Sequence, residues 1–351
     1  MASPCPWPSA LRVYASVDDI HLPLGAYPAH AQRAERLGFD GLIVPEAVND
    51  GILGSLLALE HTERLQVLTG VVVAFARSPM LLAQDAWGLA GMSGGRFGLG
   101  VGPQVKGNVE KRFGMPWSAP AARMRDYVGA LRAIFDCWQN GTPLRYESES
   151  YSLTRMQPFF SPAPIEHPEI PIVLGAIGPR MTAVAGEVAD KVVAHPTNSS
   201  PSYLRDAMAP KLEEGARRAG RDPRAIEVIA NPMTATGPGE AAAQAEREAA
   251  REVLTFTYST PAYWATLEHH GWGDVGPALL EKTRSGDWAG MKSLVTDDML
   301  DVLVPQATYA GIADLLRSRY AGAATAISLR MPKDAADDEL FAEVVAALRS
   351  P

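Results

Sequence analysis

The sequence predicts an α/β fold, a (β/α)8 TIM barrel with insertions after the fourth and seventh strands. Three observations carry this. Eight short apolar runs alternate along the chain with segments of helical periodicity, the pattern of repeated βα units around a parallel sheet. Most of the runs are close to continuous Val, Ile, Leu and Ala, as strands covered on both faces require. Eight such units favour closure into a barrel over an open doubly wound sheet.

Taken in order, the strands are read at Leu11–Ser16, Gly41–Pro45, Gln66–Phe75, Arg96–Gly100, Ile172–Ala176, Lys191–His195, Ile226–Asn231 and Thr325–Met331. Helices fall between them. Ala119–Trp138 sets Met124, Val128, Leu131, Phe135 and Trp138 on one stripe, which is core packing and not a cofactor box. Pro79–Met92 and Pro179–Val188 each open on proline, where the missing N–H removes no helical bond. Ser202–Ala219 stops at Gly220, a C-terminal stop. Residues 1–10, with three prolines, read as a flexible lead, and residues 11–351 as one barrel domain.

Two stretches exceed the bare repeat. Residues 141–171 are rich in Pro, Tyr and Glu, with a small hairpin read over Leu144–Leu153. Residues 237–309 read as several extra helices carrying Tyr258, Tyr263, Trp264, His269, His270, Trp272 and Trp288. On the βα side of a barrel this second insertion forms either a wall over the mouth or a face against a second copy.

Of the 351 residues, 32 are basic and 40 acidic, for a net charge of -8. That balance argues against nucleic-acid binding and against anionic lipid surfaces, so the expected partner is a small-molecule substrate. No apolar run approaches the ~18 residues needed to span a bilayer, and no signal peptide is read at the start. With only Cys5 and Cys137, and no disulfide framework, a cytoplasmic location is expected. No metal motif is read: the seven histidines are scattered, and the His269-His270 doublet splays its rings apart on a helix. Serine-elbow and Walker patterns are lacking too.

In a barrel of this kind, residues just past the strand ends face the site. Leu174–Met181 is the strongest segment, because small residues before a helix start let backbone N–H groups approach an anion such as phosphate. The plainer reading is a turn glycine kept for its backbone angles. Arg96–Gly102 lacks the third glycine of a dinucleotide fingerprint, and its alternating glycines make room for a neighbour or a ligand. His195, followed by Pro196, is the one histidine placed for catalysis, against the plainer reading of a structural histidine.

The blocks Ala34–Leu42, Leu68–Val71, Gly95–Gly102, Gln104–Lys106 with Arg112–Trp117, and Gly175–Thr182 with Ala185–Asp190 carry a resemblance. From Leu11 to Met331 the chain resembles the luciferase-like monooxygenase superfamily, and within it the coenzyme F420 (deazaflavin)-dependent oxidoreductases. The resemblance implies a non-prolyl cis peptide at Gly70–Val71, and Gly70, Val71, Val73, Gly102, Pro103 and Gln104 around the cofactor. It implies that Gly175, Ala176, Ile177 and Gly178 hold the cofactor phosphate, that Asp18 and Glu46 lie nearby, and that the protein is a homodimer.

One departure bears on chemistry. Alcohol-oxidising relatives carry a histidine base after the acid that Glu46 matches, and here that position is Ala47. The resemblance therefore implies reduction of an activated C=C or C=N bond, with Glu46 or His195 as catalytic proton donor. The plainer reading of Glu46 is a carboxylate paired with a nearby arginine. An FMN-dependent monooxygenase and a non-catalytic ligand-binding barrel remain as alternatives.

Overall fold

The computed structural model describes residues 10–350. Eight parallel strands form the barrel: β1 (Arg12–Ser16), β2 (Gly41–Val44), β3 (Gln66–Thr69), β4 (Phe97–Gly102), β5 (Ile172–Ala176), β6 (Lys191–Ala194), β7 (Glu227–Ala230) and β8 (Ala326–Arg330). Around the barrel the order is β3-β2-β1-β8-β7-β6-β5-β4, and pairing of Val67 with Phe97 and Leu68 with Gly98 closes it. The first ten residues lie almost entirely outside the described range, and with them Cys5.

The strand positions follow the sequence reading, with one correction. The third run does not stay one strand to Phe75. It stops at Thr69, crosses a cis peptide at Gly70–Val71, and resumes at Val72–Val73 before a short helical turn at Ala74–Ala76. Thr69 manages the break: its hydroxyl donates to the Gly100 carbonyl at 2.8 Å and accepts the Gly100 N–H at 2.7 Å. A side chain thus replaces the ladder bonds where β3 and β4 separate. A Cβ at Gly100 would collide with the Thr69 carbonyl oxygen, so this glycine makes room for the neighbouring strand and not for a ligand.

Inside the barrel the side chains form layers. At the strand starts Glu227 accepts from Tyr14 (2.8 Å), Lys191 (2.9 Å) and Arg12 (3.0 Å), a polar plug in which each buried charge is paired. Above it Ile43, Leu68, Val173, Ile229 and Ala326 pack around the Tyr14 ring. Toward the strand exits Gly70, Gly102, Gly175 and Val193 line one open space, and Ser16 and Ser328 a smaller one beside it. The apolar core therefore ends a layer below the strand exits, and the space it leaves is a cavity.

The helical coat forms for the reasons its sequence suggests. Pro79–Ser93 is capped by Ser78, whose hydroxyl accepts from the Leu81 N–H at 3.2 Å, and ends at Gly94 with φ 62°. Pro120–Asn140 buries Met124, Val128, Leu131, Phe135 and Trp138, and Cys137 is a buried free thiol beside them. The segment read as Ser202–Ala219 is helical but takes a π turn at Leu204–Met208. Pro210, lacking an N–H, interrupts the i→i−4 ladder just beyond that turn.

The first insertion contains the expected hairpin, with Tyr146 opposite Leu153 and Glu147 opposite Ser152. The second holds five helices of at least five residues between Glu240 and Leu303. Leu254, Tyr258, Leu267, Leu279, Met291 and Leu300 give it an apolar cluster of its own. Parallel pairing of Ala235–Gly237 with Gln306–Thr308 clasps its base. The His269-His270 doublet differs from expectation: the helix ends at His269, so the two rings pack edge to face with centroids 4.9 Å apart.

No helix among the described residues is long and apolar enough to cross a membrane.

Candidate functional site

A cavity of about 1310 Å³ opens at the C-terminal ends of β2 to β7. Eleven of the thirteen residues singled out in the sequence line it: Glu46, Gly70, Val71, Gly102, Pro103, Gln104, Gly175, Ala176, Ile177, Gly178 and His195. Val73 does not. It is buried, pairing with Gly102 in the ladder, and so lies behind the wall. Asp18 lies instead in a smaller adjoining hollow, beside Arg330.

One end of the cavity is suited to an anion. The turn after β5 leads into the helix Pro179–Val188, whose N-cap Gly178 offers no side chain to its first-turn N–H groups. A Cβ on Gly178 would meet nothing within 4 Å, so the backbone stands open to the cavity. The turn is held from behind: Asn198 Nδ2 donates to the Ala176 carbonyl at 3.2 Å, and the Tyr203 hydroxyl donates to that of Ile177 at 3.1 Å. Arg125, Arg180, Lys211 and Arg218 line the same end. Arg218 pairs with Glu187 (2.6 Å) and Glu214 (2.8 Å), Lys211 with Glu214 (2.7 Å), and Arg125 with Glu187. Three of these cations share the two carboxylates and Arg180 pairs with neither, leaving a positive field.

Val71, Pro103 and Trp117 add apolar surface to the wall, and Val71 lies against Gly175, its methyl carbons 3.4 Å from where a Cβ would stand. Gln104 is the single non-glycine residue with positive φ (60°) among those described. Its side-chain oxygen accepts from the Val105 N–H at 2.9 Å, holding the chain in a conformation that costs about 1–2 kcal/mol for a residue with a Cβ. Such strain gathers at ligand sites.

Both candidate proton donors, Glu46 and His195, line the cavity. Glu46, whose side chain is 8% exposed, takes the Arg77 guanidinium on Oε1 at 2.8 Å. Arg77 also reaches Asp50 at 2.7 Å, and Asp50 in turn caps the helix Gly51–Glu60 by accepting from Ile52 at 2.7 Å. The second Glu46 oxygen, Oε2, is buried and has no partner among the described residues.

His195 is pushed down to about 4 by burial, so its imidazole is neutral at physiological pH. Nδ1 lies 2.9 Å from the Thr197 hydroxyl, which can donate or accept, and receives the Thr197 N–H at 3.3 Å. An N–H can only donate, so Nδ1 is the acceptor nitrogen and the proton sits on Nε2. The ring stacks on Tyr263 with centroids 4.6 Å apart.

Tyr263 comes from the second insertion, which supplies a wall of the cavity as one of the two sequence readings has it. The insertion also braces the His195 segment: the Tyr258 hydroxyl donates to the Thr197 carbonyl at 2.8 Å, and Ser200 Oγ lies 2.9 Å from His270 Nε2. Sequence reasoning did not assign Trp117, Arg125, Lys211, Arg218 or Tyr263 to the site. The basic residues stand on helix flanks, where their spacing looks like that of any solvated face.

The residues fit a planar ligand with a phosphate: an open N-terminal helix turn among cations, apolar wall residues, and an unsatisfied carboxylate oxygen.

Comparison with known proteins agrees. The sequence model of the luciferase-like monooxygenase family matches residues 7–326. An uncharacterized protein of Mycobacterium tuberculosis is 44% identical over 288 residues, 82% of this chain and 84% of that protein. The 5,10-methylenetetrahydromethanopterin reductase of Archaeoglobus fulgidus is 29% identical over 282 residues, 78% and 79% of the two chains. Among solved structures, the coenzyme F420-dependent tetrahydromethanopterin reductase of Methanopyrus kandleri superposes with a TM-score of 0.76 at 21% identity, over 97% of each chain. An F420-dependent secondary alcohol dehydrogenase superposes at 0.74 and 21%, over 97% of this chain and 100% of that one. The oxygenating constituent of 3,6-diketocamphane monooxygenase from Pseudomonas putida, in complex with FMN, superposes at 0.67 and 14%, over 97% of each. On sequence and fold together, the chain belongs to the luciferase-like monooxygenase family.

Proposed function

We propose that the protein is a coenzyme F420-dependent oxidoreductase that moves hydride between the deazaflavin C5 and an organic substrate, acting as a reductase of an activated C=C or C=N bond. One observation carries the reading. The Gly175–Gly178 turn, the basic residues Arg180, Lys211 and Arg218, and the Gly70–Val71 step with Pro103 and Trp117 all open on one cavity. The F420-dependent proteins among the structural neighbours support the cofactor, and the reductase similarity supports the direction.

When bound, the deazaflavin supplies the hydride-transfer chemistry. The chain supplies the rest. Gly178 and the first-turn N–H groups of Arg180 and Met181 hold the phosphate, with Lys211 and Arg218 neutralising what lies beyond it. Val71, Pro103 and Trp117 exclude water from the ring slot. His195 Nε2–H, fixed by Thr197 and Tyr263, donates to the acceptor atom of the bond being reduced. Glu46 Oε2, with no partner among the described residues, would hold the ligand or water O–H that delivers the proton completing the reduction. Ala47, following Glu46, offers no base for the alcohol-oxidising route.

An FMN monooxygenase is the second reading, favoured by the superposition with an FMN complex. Titrating the purified protein anaerobically with reduced F420 and with reduced FMN separates the two. We expect F420 to bind at least tenfold more tightly; tight FMN binding with negligible F420 binding overturns the proposal. Glu46→Gln should then slow turnover more than it weakens cofactor affinity, and an undiminished rate removes Glu46 from the reaction.

A further inference from the structure

Beside the main cavity, and meeting it along Gly70, Pro196 and Asn231, lies a second hollow of about 120 Å³. It is walled by the ends of the adjacent strands β1 and β8, whose register sets Ser16 beside Arg330 and Tyr14 beside Ser328. Ser328 lines it at 1% exposure, and its hydroxyl has no hydrogen-bond partner among the described residues. A buried hydroxyl left this way weakens the fold unless something outside the chain bonds to it. The side-chain amide of Asn231, on the wall shared with the main cavity, likewise bonds to no described residue, although its backbone N–H donates to Ser199 at 2.9 Å.

The charges in the hollow cancel. Asp18 accepts from the Ser16 hydroxyl at 2.8 Å and faces Arg330 Nε at 3.4 Å. Asp18 and Arg330 already face each other as a pair, so neither a carboxylate nor an ammonium entering the hollow finds an uncommitted counter-ion. An apolar group would leave both Ser328 and Asn231 unpaired. What remains is a neutral group that donates and accepts at once. The volume suits about four water-sized atoms, the polar end of a larger molecule whose body lies in the main cavity.

We propose that this hollow is the subsite that recognises the substrate, and that it takes a neutral donor–acceptor group such as the amide of a lactam ring, bonded to Ser328 and Asn231. The inference rests on the cofactor reading only for calling the ligand a substrate; the chemistry of the hollow stands apart from it. A site built this way rejects analogues lacking the polar group, because the chain's own buried atoms are then left unsatisfied.

The test uses 2-pyrrolidinone as the lactam probe, with acetate and methylammonium as charged controls, and reads binding to the full chain by saturation-transfer NMR. The wild type should bind the lactam at least tenfold more tightly than either control, and Ser328→Ala should weaken it at least fivefold. The same variant should melt no lower than the wild type and bind F420 within twofold of it. Equal binding of a charged control, unchanged lactam affinity in Ser328→Ala, or a lower melting temperature in that variant each overturns the subsite. Failure of both F420 and FMN to bind, with the lactam result intact, removes the cofactor reading and leaves the subsite in place.

Discussion

The backbone N–H of Thr197 points at Nδ1 of His195, 3.3 Å away, and this contact decides which nitrogen of the ring carries the proton. The imidazole that faces the cavity is thereby a neutral donor, held in place by its stack on Tyr263. It serves as a polarising group at neutral pH, in place of a cation.

The neutral state has a stability consequence. His195 sits near pKa 4 in the fold against about 6.5 in the unfolded chain, so the unfolded state binds the extra proton between those values. The fold is unaffected above about pH 6.5 and loses stability as pH falls toward 4, by roughly 3 kcal/mol at most. Thermal melts of the wild type and His195→Asn from pH 8 to pH 4 should diverge in that window, with the variant declining less. Parallel declines would place the acid sensitivity elsewhere.

Arg77 bridges Glu46 and Asp50 from a largely buried position. Arg77→Met leaves the Glu46 carboxylate without its counter-ion and should cost about 3–5 kcal/mol in urea unfolding. The double variant Arg77→Met/Glu46→Gln should recover part of that loss, since the uncompensated charge is gone. No recovery would mean that the arginine stabilises through packing alone.

Gly178 has ordinary backbone angles, φ −93° and ψ 161°, and open space where a side chain would go. Gly178→Val should therefore fold with an unchanged melting temperature. It should also bind F420 at least tenfold more weakly, while affinity for the deazaflavin lacking its phosphate arm is preserved. If both ligands weaken equally, the phosphate is held somewhere else.

Asn198 is 1% exposed and ties the Ala176 carbonyl from behind the turn. Asn198→Ala should cost about 1–3 kcal/mol for the carbonyl left unpaired. Because the turn loosens, affinity for F420 should fall further than for its phosphate-free counterpart. A stability loss with affinity unchanged would confine Asn198 to a structural role.

Much of this architecture is legible in the chain. Strands such as Ile172–Ala176 and Lys191–Ala194 announce themselves because burial on both faces leaves little choice but Val, Ile, Leu and Ala. The same rule misleads after Thr69: Val71–Phe75 is as apolar as a strand, yet only Val72–Val73 is one, between the cis step at Gly70–Val71 and the helical turn Ala74–Ala76. Backbone-built parts of the site, Gly175 to Gly178, are readable because small residues before a helix start have few other uses. Arg125, Lys211 and Tyr263 are not readable, since nothing local in a helix flank or an inserted turn says which residue a distant segment brings to the mouth. Val73 shows the converse: Val71, at the cis step before the strand resumes, lines the cavity, whereas Val73 is buried in the short strand that pairs with Gly102.

The uppermost ring of the barrel, with glycine and serine where branched side chains would fill it, makes the molecule less cohesive than its topology permits. Variants selected for heat resistance alone should drift toward larger apolar residues at positions such as 16 and 328, each gaining up to about 1 kcal/mol per added methylene. They would become tougher proteins with nowhere left for a guest.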